Sequence, residues 1–414
     1  MSKKSILFIS PFYPDNDESP RHRAVYNHIN YFKSKNYKID FIYLSNSEID
    51  IDTDIEFTRL SLPSISEVLK NIILQLLSLK KVSLQSSLFY SNSISKYLKK
   101  INSNNKYDVI FFESIRTAPY QEVFQSTYKI LDLGDLISRR YGLLRTSKIK
   151  VNNVLGQFSN QSSFLNTMLK NFFVQKIILF TEEKLIKRME IDSVKFFDKI
   201  ILVSQYEQSL LNKYSNKANV HWIPNIDFSQ SSNNPKFTLN KSLSFYGILN
   251  NPHNEHALIY FFENIFKKII DKDSDIDFKI IGKNPTDQIV KFANQFSDNV
   301  ILKGYVDDIE SNIKDSNLLI VPIMAGSGVK TKVLDSICWG VPVVSSMEGV
   351  SGMINIEESG VMLANNVDDF VNNIFKIIND KDFASECSEK SLQYYKKYYS
   401  KHAIHLKYNS MIIH

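Results

Sequence analysis

The stretch of sequence that decides the fold is Val321-Pro322-Ile323-Met324-Ala325-Gly326-Ser327-Gly328-Val329-Lys330-Thr331-Lys332-Val333-Leu334-Asp335. An apolar strand ends at Pro322, a loop of small residues follows, and a helical pattern then begins. The amides of such a loop, together with the N-terminus of the helix behind it, attract an anion. Lys330 and Lys332 add two cationic donors, so the stretch predicts a phosphate site at the carboxyl edge of a parallel sheet.

Asp335 extends this predicted site from a phosphate to a nucleotide. It lies one helical turn after Lys332, where a carboxylate can accept hydrogen bonds from ribose hydroxyls. The alternative is a turn with two solvated lysines and a surface aspartate, because a short glycine motif alone is weak evidence. The next residues favour the site, since Gly340 ends the helix and Pro342 starts a strand, which holds the loop on a rigid frame.

Short β-branched and aromatic runs alternate with helical patterns along the chain. Continuous apolar strands separated by helices are typical of parallel sheets covered on both faces, so the sequence predicts an α/β protein. Two series of strands indicate two Rossmann-like, doubly wound domains. The predicted strands are Ile6–Ser10, Ile39–Leu44, Asp108–Glu113, Tyr128–Leu133 and Lys199–Ser204, followed by Leu243–Gly247, Phe278–Gly282, Val300–Lys303, Leu318–Pro322 and Val341–Ser345.

A polar linker, Asp227–Pro235, separates the two series and has the composition of turns. We therefore expect an N-terminal domain over residues 1–225 and a C-terminal domain over residues 242–395. We expect a C-terminal helix over residues 396–414 to pack back on the N-terminal domain. The length of 414 residues fits two domains of ordinary size.

Composition excludes several classes of protein. The chain is 43% hydrophobic and 12% aromatic, which is incompatible with a disordered protein. A net charge of +6 without a long basic run argues against a nucleic-acid partner. Cys338 and Cys387 lack the spacing of metal ligands and fit a reducing compartment. The sequence shows no signal-like or membrane-spanning segment, so we expect a cytoplasmic protein, at most peripheral to the inner face of the cell membrane.

The loop after the first strand argues against a nicotinamide or flavin cofactor at this end. In dinucleotide-binding folds the first strand leads into a G-x-G-x-x-G turn, whereas here it leads into Pro11–Arg23, which contains no glycine. This loop carries Arg21 and Arg23. We expect them to meet a phosphate of an acceptor or, alternatively, to form a salt bridge within the loop.

At Gly328–Asp335 and Gly340–Val344 the sequence resembles retaining glycosyltransferases of family 4, whose two-domain architecture is called GT-B. The family pattern is a proline-ended strand, a glycine loop, a basic residue, a Lys, Leu-Glu and then Gly-x-Pro-Val-Val, and here Asp335 replaces the Glu. Weaker resemblances to the family follow in order along the chain, at Pro11–Phe32, Ile130–Ser138, Phe197–Ser204, Tyr246–Leu258 and Gly304–Ile309.

The resemblance implies transfer of a sugar, with retention, from a nucleoside diphosphate sugar to a glycan or lipid-linked acceptor in the synthesis of a surface polysaccharide. The two domains would face each other across a cleft. The donor-binding residues would be Gly247, Asn254, Gly326, Ser327, Gly328, Lys330, Lys332 and Asp335. The acceptor side would hold Arg21, Arg23, Asp132 and Asp135, and the catalytic groups would be Lys330, Lys332, Arg23 and Asp132.

The chain also departs from the family pattern. An Arg and a Lys often follow the first glycine of the donor domain, and their absence here means that Lys330 and Lys332 have to hold the phosphates. The departures are Ile248 and His253 or Asn254 in place of those two cations, Ser327 in place of a first Glu, and Gly134 in place of a strand-end His of some members.

We expect no metal, and no cofactor besides the nucleotide sugar as co-substrate. In a GT-B enzyme, lysines and helix amides stabilise the charge on the leaving diphosphate, and Asp307-Asp308 has the pattern of a solvated turn. Three alternatives stay open: a glycosidase using Asp132 and Asp135, a nucleotide-sugar epimerase of the same architecture, and a non-catalytic binding protein that kept the fold.

The segment Leu136–Thr181 predicts contact with an anionic membrane surface. It contains no Asp or Glu and interleaves basic with large apolar residues. Each cation near such a surface contributes about 1 kcal/mol. The alternative is a helical insertion whose apolar side packs on the first domain while its lysines face water. The basic residues of the segment are Arg139, Arg140, Arg145, Lys148, Lys150, Lys170 and Lys176.

Overall fold

The computed structural model describes residues 3–15, 19–47, 55–78, 83–146, 172–216, 218–225, 240–324 and 329–412. The chain divides into two compact units: unit 1 comprises Met1–Asn225 and Lys407–His414, and unit 2 comprises Ile226–Leu406. Each unit is built on a parallel β-sheet connected by helices. The predicted fold class, α/β with two Rossmann-like domains, is confirmed.

Unit 1 contains β1 (Ser5–Ser10), β2 (Lys38–Leu44), β3 (Glu56–Leu60), β4 (Val109–Glu113), β5 (Tyr128–Gly134), β6 (Lys199–Leu202) and β7 (Val220–Trp222). Within the described residues these strands form one sheet in the order β3-β2-β1-β4-β5-β6-β7, with every pairing parallel. All five residues of β4 are buried, because a central strand is covered on both faces. The edge strand β3 is partly exposed along its whole length, so it lacks the continuous apolar pattern of the strands that were predicted.

The helices of unit 1 connect these strands. Helix α1 begins at Pro20, so Arg21 and Arg23 lie in its first turn and not in the loop that the sequence suggested over Pro11–Arg23. Proline is favourable in a first helical turn because it lacks a backbone N–H. The helices are α1 (Pro20–Ser34), α2 (Ile65–Ser78), α3 (Leu84–Ser87), α4 (Asn92–Asn104), α5 (Ile137–Thr146), α6 (Phe172–Phe196) and α7 (Gln205–Asn212).

Unit 2 contains β8 (Ser242–Tyr246), β9 (Asp277–Ile281), β10 (Val300–Gly304), β11 (Leu318–Val321), β12 (Val343–Ser346) and β13 (Met362–Ala364). Their order within the described residues is β10-β9-β8-β11-β12-β13, again with parallel pairings. The first strand of the unit, β8, therefore lies between β9 and β11. The order reverses between β8 and β11, which is where doubly wound sheets bind their ligands.

The helices of unit 2 include the one predicted after the small-residue loop. It ends at Cys338, and Gly340 then adopts a φ of 68°, a left-handed conformation that glycine accepts without strain. The helices are α8 (Pro252–Phe261), which continues through a wider turn into α9 (Lys267–Lys272), then α10 (Asp287–Gln295), α11 (Ile309–Lys314), α12 (Thr331–Cys338), α13 (Val367–Asn379) and α14 (Lys381–Tyr398).

The last helix, α15 (Lys401–Ile412), differs from the expected C-terminal helix over residues 396–414. Residue 396 lies inside α14, which runs to Tyr398 before a break in the helix. Residues from Lys407 onward belong to unit 1. There, the ring of Tyr408 stacks on that of Tyr31 at a centroid distance of 4.3 Å and an interplanar angle of 18°.

Among the described residues, no helix is both long enough and apolar enough to span a membrane.

Candidate active site

The carboxyl edge of the second sheet brings together those predicted donor residues that the structure describes. Strand β8 ends at Tyr246 and Gly247, and helix α12 begins nearby at Thr331, after β11. A Cβ atom on Gly247 would lie 2.6 Å from Nδ2 of Asn254 and 3.3 Å from Nζ of Lys332. Gly247 also has a φ of 149°. Glycine is therefore required at this position, since a side chain would fill the space that these two polar groups occupy.

Lys332 is the central charged group of this edge. Its side chain is buried, with Nζ 3.9 Å from the centroid of the Phe245 ring. Nζ donates a hydrogen bond of 2.8 Å to Oδ1 of Asn254. Burial, together with the positive charge of Lys330, lowers the pKa of Lys332 to about 7. Lys332 is thus a desolvated amine whose charge is stabilised when an anion binds beside it.

Asn254 is in turn fixed by the backbone. It lies in the first turn of α8, and its Nδ2 donates a hydrogen bond of 2.9 Å to the carbonyl of Ile248. The helix is capped by Asn251, whose Oδ1 accepts from the amide of His253 at 3.1 Å. Asn254 therefore presents its amide oxygen to Lys332 from a rigid helix start.

Asp335 lies on α12 one turn after Lys332, and its side chain is also buried. Its Oδ2 accepts a hydrogen bond of 2.7 Å from the hydroxyl of Tyr246. Two functional groups on one face of α12 are thus each held by a residue at the end of β8 or just after it. Lys330 is partly buried at the residue before the helix. The predicted loop residues Gly326, Ser327 and Gly328 lie outside the described residues.

The carboxyl edge of the first sheet contains a different cluster. Arg21, from the first turn of α1, forms an ion pair with Glu113 at the end of β4. Its Nη1 is 3.8 Å from Oδ2 of Asp132 in β5. Sequence alone suggested a salt bridge within the Pro11–Arg23 loop as an alternative. Among the described residues, the carboxylate partners of Arg21 come from two adjacent strands, whereas Asp17 and Glu18 of the loop lie outside the described residues.

Gly134 gives Arg21 its place in this cluster. It has a φ of 70°, and a Cβ atom added to it would lie 1.6 Å from Nη1 of Arg21. The guanidinium group therefore occupies the space of a side chain at position 134. The amide of Gly134 also donates a hydrogen bond of 2.7 Å to Oδ1 of Asp132. Gly134 therefore leaves room for the guanidinium of Arg21 and orients the carboxylate of Asp132.

His28 and Tyr408 complete the cluster. Nε2 of His28 lies 2.8 Å from Oδ2 of Asp132, and Nδ1 lies 2.5 Å from the hydroxyl of Tyr408. This arrangement fits a tautomer in which Tyr408 donates to Nδ1 and Nε2–H donates to Asp132. Both imidazole nitrogens of His28 are thus engaged, and the ring holds Asp132 in place.

The charges within the cluster are nearly balanced. Burial opposes ionisation of Asp132, but the Arg21 cation and the hydrogen bonds from His28 and Gly134 outweigh it and lower the pKa of Asp132 to about 2. Burial raises the pKa of Glu113 well above its usual value, against the pull of Arg21. Arg21 faces both Asp132 and Glu113, so this arginine offers little free charge to an acceptor phosphate.

His28, Glu113 and Asp132 are also spaced like metal ligands, with one ligand atom of each lying within 4.8 Å of the others. The guanidinium of Arg21 contacts both carboxylates, and His28 directs Nε2 at Asp132. A cation would have to displace Arg21 and separate His28 from Asp132. The residues are therefore arranged as an ion-pair network, and the expectation of a metal-independent protein stays a prediction.

Asp135 and Arg23 are the remaining predicted residues of unit 1, and Asp135 is close enough to Arg21 to interact with its charge. Oδ2 of Asp135 is 3.5 Å from Nη1 of Arg140, and Arg23 is partly buried in the first turn of α1. Asp132 is 1% exposed and Glu113 is 0% exposed. The glycosidase alternative required both Asp132 and Asp135, and burial of the Asp132 carboxylate against His28 and Gly134 argues against its use beside a glycosidic bond.

Sequence reasoning missed Glu113, His28, Tyr408 and Tyr246. Glu113 offered one signal, since it is an acidic residue at the end of an apolar strand, where parallel sheets carry their functional groups. His28 and Tyr408 offered none, because each is a single polar residue in a helical pattern.

Comparison with known proteins identifies a family for one domain and similar structures for the whole chain. Residues 240–380 match the family model described as "Glycosyl transferases group 1". This part of the chain is a glycosyltransferase domain. The match confirms the predicted enzyme class for the C-terminal half, which contains Lys332 and Asp335.

Solved structures extend the likeness over the whole chain. TarM has a TM-score of 0.65 at 12% identity, with 100% of this chain and 99% of that chain covered. WaaG, a glycosyltransferase involved in lipopolysaccharide biosynthesis, has a TM-score of 0.61 at 10% identity, covering 99% and 100%. Anabaena HepE, solved with UDP and glucose, has a TM-score of 0.59 at 12% identity, covering 98% of each chain. The chain has the GT-B fold.

One curated relative is similar in sequence. It is an uncharacterised 44.6 kDa protein in the cps region of Klebsiella pneumoniae, 26% identical over 276 residues. The alignment covers 65% of this chain and 64% of that protein, just under two thirds of its length.

Proposed function

We propose that this protein transfers a sugar from a nucleoside diphosphate sugar to a glycan or lipid-linked acceptor, with retention, in the synthesis of a surface polysaccharide. The observation that carries the proposal is the pairing on α12. Lys332, held by Asn254, is a buried cation site for a diphosphate, and Asp335, held by Tyr246, is a buried carboxylate for a ribose. The N-terminus of α12 adds its amides to the same edge.

The similar proteins support a uridine nucleotide as the first donor to test. HepE was solved with UDP and glucose, and also with UDP-glucose. A TarM variant of S. aureus was solved with UDP and α-GlcNAc-glycerol. WaaG acts in lipopolysaccharide biosynthesis, and the Klebsiella relative lies in a cps region. For this chain, a uridine donor and a role in surface polysaccharide synthesis are inferences from that likeness.

In the proposed reaction the bond between C1 of the sugar and the diphosphate oxygen breaks, and its electron pair goes to the leaving diphosphate. The oxygen of an acceptor hydroxyl forms a new bond to C1, and the proton of that hydroxyl passes to the diphosphate. Lys332, Lys330 and the amides of α12 stabilise the negative charge that develops on the leaving oxygen. We propose that this arrangement replaces a divalent metal.

In this proposal Arg21 and Asp132, at the carboxyl edge of the sheet of unit 1, are considered for contact with the acceptor. Because the charge of Arg21 is balanced by Asp132, the cluster fits an uncharged hydroxyl group of an acceptor better than its phosphate. Arg23, Asp135 and Asp132 stay candidates for acceptor contact.

We also propose a cytoplasmic location at the inner face of the membrane, with an anionic surface as a partner. Most of the segment that suggested it, residues 147–171, lies outside the described residues. Within the described part, each of the three arginines is near a carboxylate, which reduces the charge available to lipid. The distances are 3.7 Å for Arg139 to Glu207, 3.5 Å for Arg140 to Asp135 and 2.7 Å for Arg145 to Glu183.

A product analysis tests the function against its alternatives. The protein is incubated with UDP-, GDP-, ADP- and CDP-sugars, and the nucleotide and sugar products are identified. Release of a nucleoside diphosphate with a glycosylated acceptor supports transfer. An altered sugar that stays on its nucleotide would show an epimerase instead, and binding without turnover would show a non-catalytic protein.

A further inference from the structure

Helix α12 holds its two functional side chains in the same way. Lys332 and Asp335 lie three residues apart on one face of the helix. Each side chain is hydrogen-bonded to a residue at the end of β8 or shortly after it. Asn254 holds Lys332. Tyr246, the last residue of β8, reaches Asp335 with its hydroxyl.

The contact between Tyr246 and Asp335 is buried from both sides. Tyr246 is 8% exposed and Asp335 is 9% exposed, and the hydroxyl oxygen lies 2.7 Å from Oδ2. A hydrogen bond to a carboxylate in such surroundings is stronger than one between neutral groups. It favours the orientation of the carboxylate in which Oδ2 faces the end of β8.

The ring of Tyr246 is itself fixed by packing. Its centroid is 6.2 Å from that of the Trp339 ring, which is buried directly after the end of α12. Nζ of Lys332 lies 5.9 Å from the centroid of the Tyr246 ring. A tyrosine has only two side-chain torsions, so this packing leaves its hydroxyl little freedom. Tyr246 therefore acts as a rigid support between β8 and α12.

A support of this kind matters because the carboxylate at this position is an aspartate. Its side chain is one methylene shorter than a glutamate, and its oxygens stay closer to the helix. A short carboxylate that is already held toward the ligand loses less conformational freedom when it binds a ribose. The Tyr246 hydroxyl provides this orientation at Oδ2.

We propose that Tyr246 is a positioning residue for the nucleotide: its hydroxyl orients Asp335 against the ribose diol, and the pair thereby selects ribonucleotides over deoxyribonucleotides. This inference rests on the proposed function, since it takes the ligand of the site to be a nucleoside diphosphate. It assigns to the end of β8 a role in specificity that neither Asp335 nor the glycine loop explains alone.

The test compares Tyr246→Phe with the unchanged protein. Titration calorimetry first identifies which of UDP, GDP, ADP and CDP binds the unchanged protein most tightly. The affinities of that ribonucleotide and of its 2′- and 3′-deoxy forms are then measured for both proteins. We expect Tyr246→Phe to weaken binding of the ribonucleotide about 3- to 10-fold, because binding then has to order a carboxylate that the hydroxyl no longer holds. Binding of at least one deoxy form should change less than about twofold, because the variant has lost a contact that this form cannot use.

A matched control is Tyr394→Phe. Tyr394 is buried in the same unit, and its hydroxyl donates to the carbonyl of Ile354. Loss of the Tyr394 hydroxyl should leave the affinities for the ribonucleotide and for its deoxy forms unchanged. The role of Tyr246 would be overturned if Tyr246→Phe lowered the affinities for the ribonucleotide and the deoxy forms equally. It would also be overturned if Tyr394→Phe lowered them as much as Tyr246→Phe does.

A double-mutant cycle with Asp335→Asn separates positioning from a direct or a merely structural role. If Tyr246 acts through Asp335, Tyr246→Phe has no further effect on ribonucleotide binding in a protein that already carries Asp335→Asn. The rescue variant combines Tyr246→Phe with Asp335→Glu, whose longer side chain should restore part of the ribose selectivity. Additive losses, or no recovery in a folded double variant, would contradict the proposal.

Nucleotide binding by the unchanged protein distinguishes failure of the proposed function from failure of the role of Tyr246. If the unchanged protein binds none of the four nucleotides, both the proposed function and the role of Tyr246 are overturned. If it binds one of them and Tyr246→Phe keeps the same ribose selectivity, only the role of Tyr246 is overturned.

Discussion

The hydroxyl of Tyr408 lies 2.5 Å from Nδ1 of His28, although 380 positions separate the two residues in the sequence. The other nitrogen of His28 contacts Asp132, which pairs with Arg21. The end of α15 is thus joined to the carboxyl edge of the first sheet through a buried polar chain. The phenol of Tyr31 adds a hydrogen bond of 3.0 Å to Asn409.

Replacement of Tyr408 by Phe should therefore destabilise unit 1. The change leaves Nδ1 of His28 buried without its donor, which costs about 1–3 kcal/mol. We expect the free energy of unfolding, measured in urea, to fall by that amount. Tyr26→Phe is the control, because Tyr26 is 40% exposed on the same helix as His28. Equal stability of Tyr408→Phe and the unchanged protein would show that the contact does not hold α15 in place.

The fold was predictable because buried parallel strands leave a continuous apolar pattern in the sequence. The strands missed were those without it, such as the half-exposed edge strand β3 and the three-residue β13. The site was predictable where its residues are close in sequence, as Lys332 and Asp335 are. Tyr246 and Tyr408 escaped prediction because a hydrogen bond across 89 or 380 positions leaves no periodic signal.

The predicted membrane segment shows the same limit. The stretch from Leu136 to Thr181 contains no acidic residue, but α6 and α7 supply Glu183 and Glu207 from later in the chain. For the three described arginines of this stretch, the charge counted along the sequence is therefore larger than the charge left unpaired, and the membrane contact stays a prediction.

Lys332→Met and Lys330→Ala should impair use of the donor more than folding. Loss of a charge-assisted contact to a phosphate costs about 1.5–3 kcal/mol, or roughly 10- to 150-fold in donor kcat/KM. Methionine keeps the apolar stem of Lys332 above Phe245, so the unfolding midpoint should stay the same or rise. Lys291→Ala, at an exposed position of α10, serves as the control. An unchanged rate in both site variants would remove the donor site from α12.

Donor binding should weaken as the pH rises above neutrality. The pKa of Lys332 is lowered to about 7 in the free protein by burial and by Lys330. A bound diphosphate favours the charged amine and raises this pKa, so binding takes up a proton. The affinity is then at its plateau below pH 7 and falls by up to about tenfold per unit above it.

Calorimetry in buffers of different ionisation enthalpy measures this proton uptake directly. At pH 8 we expect close to one proton per nucleotide bound, and none in Lys332→Met. A dissociation constant that stays constant between pH 7 and pH 9 would mean that Lys332 does not contact the diphosphate.

Glu190 should make unit 1 less stable at alkaline pH. Burial raises its pKa to about 8, against two hydrogen bonds from Ser138 at the start of α5. The folded state then holds a proton that the unfolded state releases near pH 4.5, so stability falls as the pH rises from about 4.5 to about 8. Glu190→Gln mimics the protonated form and should be more stable than the unchanged protein at pH 8.5, by about 1 kcal/mol or more.

At pH 5 the Glu190→Gln variant and the unchanged protein should unfold at similar urea concentrations. Glu122→Gln, at an exposed position of the same unit, should show no difference at either pH. A Gln variant that is less stable at both pH values would show that the ionised carboxylate of Glu190 stabilises α5.

The most direct test of the proposed function measures turnover of a nucleotide sugar in the presence of excess EDTA. Release of the nucleoside diphosphate is followed for the unchanged protein, for Lys332→Met and for Asp335→Asn, with and without added Mg²⁺ or Mn²⁺. We predict chelator-resistant release by the unchanged protein and at least a tenfold loss in Lys332→Met. Turnover that stops in EDTA and returns with metal, or that is the same in Lys332→Met, would contradict a metal-independent transferase whose donor binds at Lys332.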